Sequence, residues 1–180
     1  HYEDAYRRMG LITPTARRSS PSGGSLQSCE GYVVCRSVVG MKPGIYHFRS
    51  HRRNLGLIGK LPLDFSFGAL CGGQFFVDDL SAAIIITCRF DKLMWKYKHS
   101  HAYRVALLDA GHLSQTALLL ATTLGIRTWV TAAFFDDDVR AILQIDSSST
   151  EYPLLVIGLG TGPVNPFDVY LGDGFAAREA

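Results

Sequence analysis

From Ser100 to Leu124 the chain reads SHAYRVALLDAGHLSQTALLLATTL, and Gly125 follows. Val105, Leu108, Leu113, Leu119, Leu120 and Leu124 recur at helical intervals, and a glycine just past the last of them is a frequent helix stop. Toward its end this helix is apolar on nearly all sides, which predicts an element in the middle of the fold, covered by its neighbours.

Strand signals surround it. Tyr32 to Val39 is rich in Val, and Gly44 to Phe48 carries Ile45, Tyr46 and Phe48; Gly40 to Pro43 supplies the hairpin connection. Ser50 to Asn54 reads as a second turn and Leu55 to Lys60 as a third short strand. Asp64 to Phe76 mixes aromatics with Gly68, Gly72 and Gly73 and reads as a poor helix. Ala82 to Phe90, AAIIITCRF, is a continuous β-branched run, the pattern of a strand covered on both faces. Beyond the helix, Trp129 to Phe135 and Tyr152 to Leu159 predict strands. Between them, Asp136 to Leu143 predicts a short helix whose three opening acids face the positive end of its dipole. Residues 1–28 read as irregular, with Tyr2 to Gly10 as the one helical candidate, and 160–180 as an irregular tail. Hairpins, one long helix and then single strands and helices describe an α+β fold with an antiparallel-rich sheet around a long buried helix. GLGTG from Gly158 follows a strand, but no periodic helix comes after it, so it is not a dinucleotide fingerprint.

At 180 residues and 19.8 kDa the expectation is one domain, residues 1–180. The net charge of +2 and the scattered basic residues argue against nucleic acid as a partner. Cys29, Cys35, Cys71 and Cys88 form no C-x-x-C pair, so a zinc knuckle is not indicated; Cys35 and Cys88 read as small core residues. A reducing cytoplasm is the simplest setting. The longest aliphatic stretch, Ala117 to Ala121, is far below the ~20 residues of a membrane span, so no membrane is expected. The chain begins at His1, which reads as a fragment or a processed product.

Two segments carry chemistry: RRSSPSGGSLQ from Arg17, and WKYKHSHAYR from Trp95, which runs into the long helix. Gly23 and Gly24 let backbone N–H groups approach a flat ligand without interference from a Cβ. Ser22, Ser25 and Gln27 add hydroxyl and amide partners, and Arg17 and Arg18 could each give a charge-assisted bond to phosphate. By composition alone the same segment reads first as a flexible surface loop. Lys96 follows Met94 and Trp95; desolvated beside such an apolar wall, a lysine has a lowered pKa and can act as a base, with Tyr97 as proton relay. The plainer alternative is an exposed lysine and a buried tyrosine ahead of a helix. In the helix, Gly111 predicts close packing against a neighbour, His112 a core histidine, and Gln115 a hydrogen-bonding group one turn along. His99 and His101 lack partners at ligand spacing, so no metal is expected. Asp136, Asp137 and Asp138 read as a solvated helix start.

In order along the chain, PSGGSLQ, PGIYHF from Pro43, WKYKHSHAYR, DAGHLSQ from Asp109 and TTLGIRT from Thr122 resemble the SagB-type (McbC-like) FMN-dependent dehydrogenases of the nitroreductase superfamily. The resemblance spans roughly Arg17 to Leu159. It implies a nitroreductase-like fold that binds FMN at a subunit interface, in a homodimer or a complex with a cyclodehydratase. The implied activity is oxidation of thiazoline or oxazoline rings in a ribosomally made precursor peptide. Lys96 and Tyr97 become the catalytic pair; Arg17, Arg18, Pro21, Ser22, Gly23, Gly24, Ser25, Gln27 and Gln115 become cofactor contacts. The resemblance alone assigns Thr131, Ala132 and Ala133 as backbone donors to the flavin. Two departures stand out. The basic segment that opens the family's first helix is not clear here, and Arg178 is the only basic residue beyond Leu159. An NAD(P)H-dependent nitroreductase or flavin reductase, and a flavin-free scaffold subunit, are the competing readings.

Overall fold

The structure, a computed structural model, describes residues 18–162; Arg17, the Tyr2 to Gly10 helix candidate and the tail from 163 lie outside them. Six strands, β1 (Cys29–Cys35), β2 (Gly44–Arg49), β3 (Asn54–Gly59), β4 (Ala82–Arg89), β5 (Arg127–Thr131) and β6 (Glu151–Gly160), form one sheet in the order β3-β2-β1-β4-β6-β5. Every neighbouring pair is antiparallel. Four helices pack on it: α1 (Phe67–Leu70), α2 (Phe90–Lys96), α3 (His101–Thr123) and α4 (Asp136–Ile142).

The isoleucine run of β4 explains the layering. Successive side chains point to opposite faces, so Ala83 and Ile85 join Tyr32, Val34, Phe67, Leu70, Val139 and Val156 beneath α1 and α4. Ile86 instead joins Cys29, Ala110 and Ile157 beneath α3. The sheet is thus covered on both sides, as the unbroken β-branched run requires.

Helix α3 departs from expectation in one respect. Its buried residues are Ala102, Ala106, Asp109, Ala110, Ser114 and Ala121, all short side chains. Leu107, Leu108, Leu119, Leu120 and Leu124 stand 53–74% exposed. A helix apolar all round gives no stripe from which to read its inward face; here the alanines take the sheet with Leu113 and Leu118 beside them, and the other leucines face outward. The long helix forms one layer of the fold, and the sheet does not surround it.

Boundaries shift for local reasons. Strand β4 turns directly into α2, a helix the sequence did not suggest, with Arg89 bridging Asp91 at 2.7 Å across its first turn and Leu93 buried. Strand β5 stops at Thr131, where the Thr131 hydroxyl accepts the Ala133 N–H (3.0 Å) and bends the chain, and Phe135 N–H bonds Leu70 C=O at 3.1 Å. The segment around α1 is held by Asp78, which accepts from the Ser66 hydroxyl (2.8 Å) and the Gly68 N–H (3.0 Å) with Arg36 3.9 Å away. No helix of the described residues is long and apolar enough to cross a membrane.

Two outcomes are expected. Ile85, fully buried on the central strand, should cost about 2–5 kcal/mol when cut to Ala, read from urea denaturation. The Gly68 N–H, then the Ser66 hydroxyl and Arg36, outweigh burial and hold the Asp78 carboxyl below its ordinary range. Its folded value therefore lies under its unfolded one. The stabilisation is complete above the unfolded pKa and is lost as pH falls through the folded one. Asp78→Asn should lower stability at neutral pH, and the gap to wild type should close in denaturation curves taken at acid pH.

Candidate active site

The Pro-Ser-Gly-Gly segment forms a tight 3-10 turn, Gly23–Ser25, closed by Ser25 N–H to Ser22 C=O at 2.9 Å. Gly24, Ser25 and Gln27 all have positive φ, 60°, 58° and 50°. Two of these carry side chains, for which that conformation is costly, so surrounding contacts must hold it. Helix α3 supplies them. Ser20 Oγ donates to Thr116 Oγ1 (2.9 Å), Ser22 Oγ to Asp109 Oδ2 (2.7 Å) and Gly23 N–H to Asp109 Oδ1 (2.8 Å). Gly23 lies so close to Val105 that a Cβ there would overlap the valine methyl. The segment therefore runs along α3 toward the helix N-terminus, and Ser20 and Asp109 are both buried.

The turn ends against the Lys-Tyr pair. A Cβ built on Gly24 would sit 2.8 Å from Lys96 Nζ and 2.9 Å from Tyr97 Oη, so amine and phenol converge on one bare stretch of backbone. Tyr97 caps α2 through its N–H to Leu93 C=O (2.7 Å), and its half-buried ring packs on the Cys88, Leu93, Ala102 and Ala106 cluster. Lys96 Nζ lies 5.9 Å from the centre of that ring. The apolar wall expected beside Lys96 is absent: Met94 is 59% and Trp95 74% exposed, because α2 turns only Leu93 inward.

Between turn and helix lies a cavity of about 20 Å³ lined by Arg18, Ser20, Pro21, Ser22, Gln27, Cys29, Asp109 and Leu113. That is room for about one water molecule, too little for a ring-sized ligand, which would have to lie on the outer, solvent-facing side of the turn. Gly24 is exposed there, next to Lys96 and Tyr97; the side chains of Ser25, Lys96 and Tyr97, and those of Arg18 and Gln27 at the cavity, have no hydrogen-bond partner among the described residues. A bare backbone surface with an amine and a phenol at its edge, and an arginine and a glutamine without partners nearby in the chain, is compatible with FMN. Beneath it, the contact with Cys88, then burial, push the Cys29 thiol up, out of the range of a nucleophilic thiolate. A larger cavity, about 600 Å³, is lined by Phe76, Leu80, Thr122, Ile126, Trp129 and Gly160 among others. It sits at the far end of α3, roughly 25 Å along the helix from Val105.

The remaining candidates fall elsewhere. Gln74 Nε2 donates to Ala133 C=O at 3.2 Å and Thr131 Oγ1 at 3.4 Å. None of the hydrogen bonds of Thr131, Ala132 or Ala133 reaches the Ser22 turn. Gln115 is exposed on α3 and makes no bond to the turn. Gly111 meets nothing within 4 Å of a built Cβ and His112 is exposed, so neither the close packing nor the core histidine occurs. The exposed faces of α3 carry both. The His99 and His101 rings are 6.4 Å apart and exposed, and no cluster of three or more metal-ligating groups exists among the described residues. Sequence reasoning missed Asp109, Val105 and Thr116 as the helix side of the turn. The available signal was Asp109 itself, a lone acid on the otherwise apolar stretch ahead of Leu113.

This six-stranded antiparallel sheet with its helices is a nitroreductase-like α+β fold, as the resemblance implied. The chain matches the Nitroreductase family over residues 5–161 and belongs to it, which places it among oxidoreductases. It is 30% identical, over 72% of its length, to the trifolitoxin-processing protein TfxB of Rhizobium leguminosarum bv. trifolii, of which it spans 36%. To the microcin B17-processing protein McbC of Escherichia coli it is 28% identical over 79% of its length, spanning 53% of that protein. It also superposes on a chain of the E. coli microcin synthetase McbBCD complex with truncated pro-MccB17 bound. There the TM-score is 0.71 at 27% identity, covering 83% of this chain and 57% of that one.

Gly24→Ala tests the convergence. A left-handed alanine should cost about 1–2 kcal/mol in urea denaturation. The new methyl should also push the flexible Lys96 amine off the turn, visible in a crystal structure of the variant.

Proposed function

We propose that the chain is an FMN-dependent dehydrogenase that oxidises thiazoline or oxazoline rings to thiazoles or oxazoles in a ribosomally made precursor peptide. The observation that carries the reading is the meeting of Lys96 Nζ and Tyr97 Oη at Gly24. Two relatives named for processing peptide natural products support it.

Converting an azoline to an azole removes one proton and one hydride from adjacent ring atoms. FMN, when bound, supplies the two-electron acceptor for the hydride. The chain does the rest. The outer face of Gly23 and Gly24 seats the flat ring, Ser25 and Gln27 satisfy its polar edge, and Arg18, with Arg17 beside it in sequence, faces the phosphate. Lys96 takes the proton from the azoline carbon, and Tyr97 donates a hydrogen bond to the azoline nitrogen. Cofactor and peptide together cover Lys96 and provide the desolvation that Met94 and Trp95 do not. Thr131, Ala132 and Ala133, the backbone donors the resemblance implies, would complete the cofactor site within a homodimer or a complex that includes a cyclodehydratase.

Purified protein should be yellow and release FMN on denaturation. Lys96→Ala should keep the colour and lose peptide oxidation by about 10²–10⁴-fold, the usual worth of a positioned base; Tyr97→Phe should lose less. Full activity in Lys96→Ala would remove Lys96 from the mechanism. Family membership also favours a nitroreductase reading. Rapid bleaching of the bound flavin by NAD(P)H, with no response to an azoline peptide, would select that reading.

A further inference from the structure

We infer that Asp109 is a positioning residue: its carboxylate latches the Ser22–Gln27 turn in the strained conformation that brings the bare backbone of Gly24 to the Lys96 amine and the Tyr97 hydroxyl. The flavin arm of this inference rests on the function proposed above; the structural arm does not.

Asp109 is 6% exposed, and the ion pairs of the described residues, Arg36–Asp78, His47–Glu30, Arg89–Asp91 and Lys92–Glu30, do not include it. A buried carboxylate without a cation is costly unless hydrogen bonds satisfy it. Asp109 is satisfied by the turn alone, through Ser22 Oγ on one oxygen and Gly23 N–H on the other. Turn and carboxylate therefore depend on each other: releasing the turn leaves a buried charge without partners. The effect extends past the two direct contacts. Ser22 Oγ, held by Asp109, in turn accepts the Gln27 N–H at 3.0 Å. One carboxylate thus fixes the entry of the turn directly and its exit through a relay, across the positive-φ residues Gly24, Ser25 and Gln27.

The residue type follows from the donors. Two adjacent donors need an acceptor at each oxygen, which a carboxylate offers and an amide does not. In Asp109→Asn the carbonyl can keep Gly23 N–H while the NH₂ meets Ser22 Oγ, leaving the serine hydroxyl proton without its acceptor. The order of effect is therefore wild type, then Asp109→Asn, then Asp109→Ala.

Amide hydrogen exchange resolved at Gly23 and Gln27 tests the latch, with FMN affinity measured by fluorescence quenching as the second readout. In Asp109→Ala the Gln27 amide, which does not touch Asp109, should exchange roughly tenfold to a hundredfold faster, the worth of one charge-assisted hydrogen bond. Asp109→Asn should fall between. FMN affinity should drop to a similar degree in Asp109→Ala and Ser22→Ala, and no further in the double variant. Val139→Ala, a truncation in the core on the other side of the sheet, controls for general destabilisation: it should lower the denaturation midpoint and leave both readouts near wild type. Unchanged Gln27 exchange in both Asp109 variants overturns the latch, as does an equal rise in Val139→Ala. Additive losses of FMN affinity also overturn it. If the wild type takes up no FMN, the flavin reading fails while the exchange experiment still decides the latch; Asp109→Asn and Ser22→Ala keep it decisive should Asp109→Ala not fold.

Discussion

Helix α3 rests on the sheet through Ala102, Ala106 and Ala110, and that close approach governs the rest of the molecule. Short side chains at the contact let a long helix lie near β1, β4 and β6, where bulkier residues would hold it away. Closeness to the sheet also brings the helix under the segment that leads into β1. Asp109, one residue before Ala110, is thereby carried into the interior with the alanines. Its position near the sheet is the consequence of the packing, and its burial makes its two hydrogen bonds to the turn obligatory.

The turn above Asp109 runs against local preference. Serine and glutamine at positive φ, placed in a segment of Pro, Ser and Gly, would be free to adopt many conformations in isolation. Three side-chain anchors from one helix face, at Val105, Asp109 and Thr116, select one of them. Strain held by tertiary contacts is a common mark of a functional surface; it also occurs at Arg53 and Gln144, but at this turn it coincides with the meeting of Lys96 and Tyr97 with the bare backbone of Gly24.

Legibility followed the physics of each signal. The β-branched run of β4 and the glycine-spaced hairpin of β1 and β2 were readable because they depend on local alternation and turn chemistry. The place of α3 was not, since an all-round apolar helix does not declare which side faces in; the small residues did, but alanine is a weak marker against so many leucines. Helix α2 escaped because a seven-residue helix with one buried leucine carries almost no periodicity. At the site, the Ser-Gly turn and the Lys-Tyr pair could be picked out singly from residue type. Their juxtaposition could not, because Gly24 and Lys96 are brought together by long-range packing. Asp109 was overlooked for the same reason: its partners lie 86 and 87 residues away in sequence.

On the proposed reading, the exposure of Lys96 bears on how the site works. A base held permanently dry would be open to side reactions with any carbonyl compound that reached it. An exposed amine next to an open glycine surface stays hydrated until something flat covers that surface. Covering it removes water from the amine and leaves the phenol beside it as the nearest fixed polar group. The activation of Lys96 would then depend on loading rather than on the fold alone. On the same proposed reading, the outward leucines of α3 and the Thr131–Ala133 corner, which has no hydrogen bond to the turn, would be the surfaces that meet a second chain.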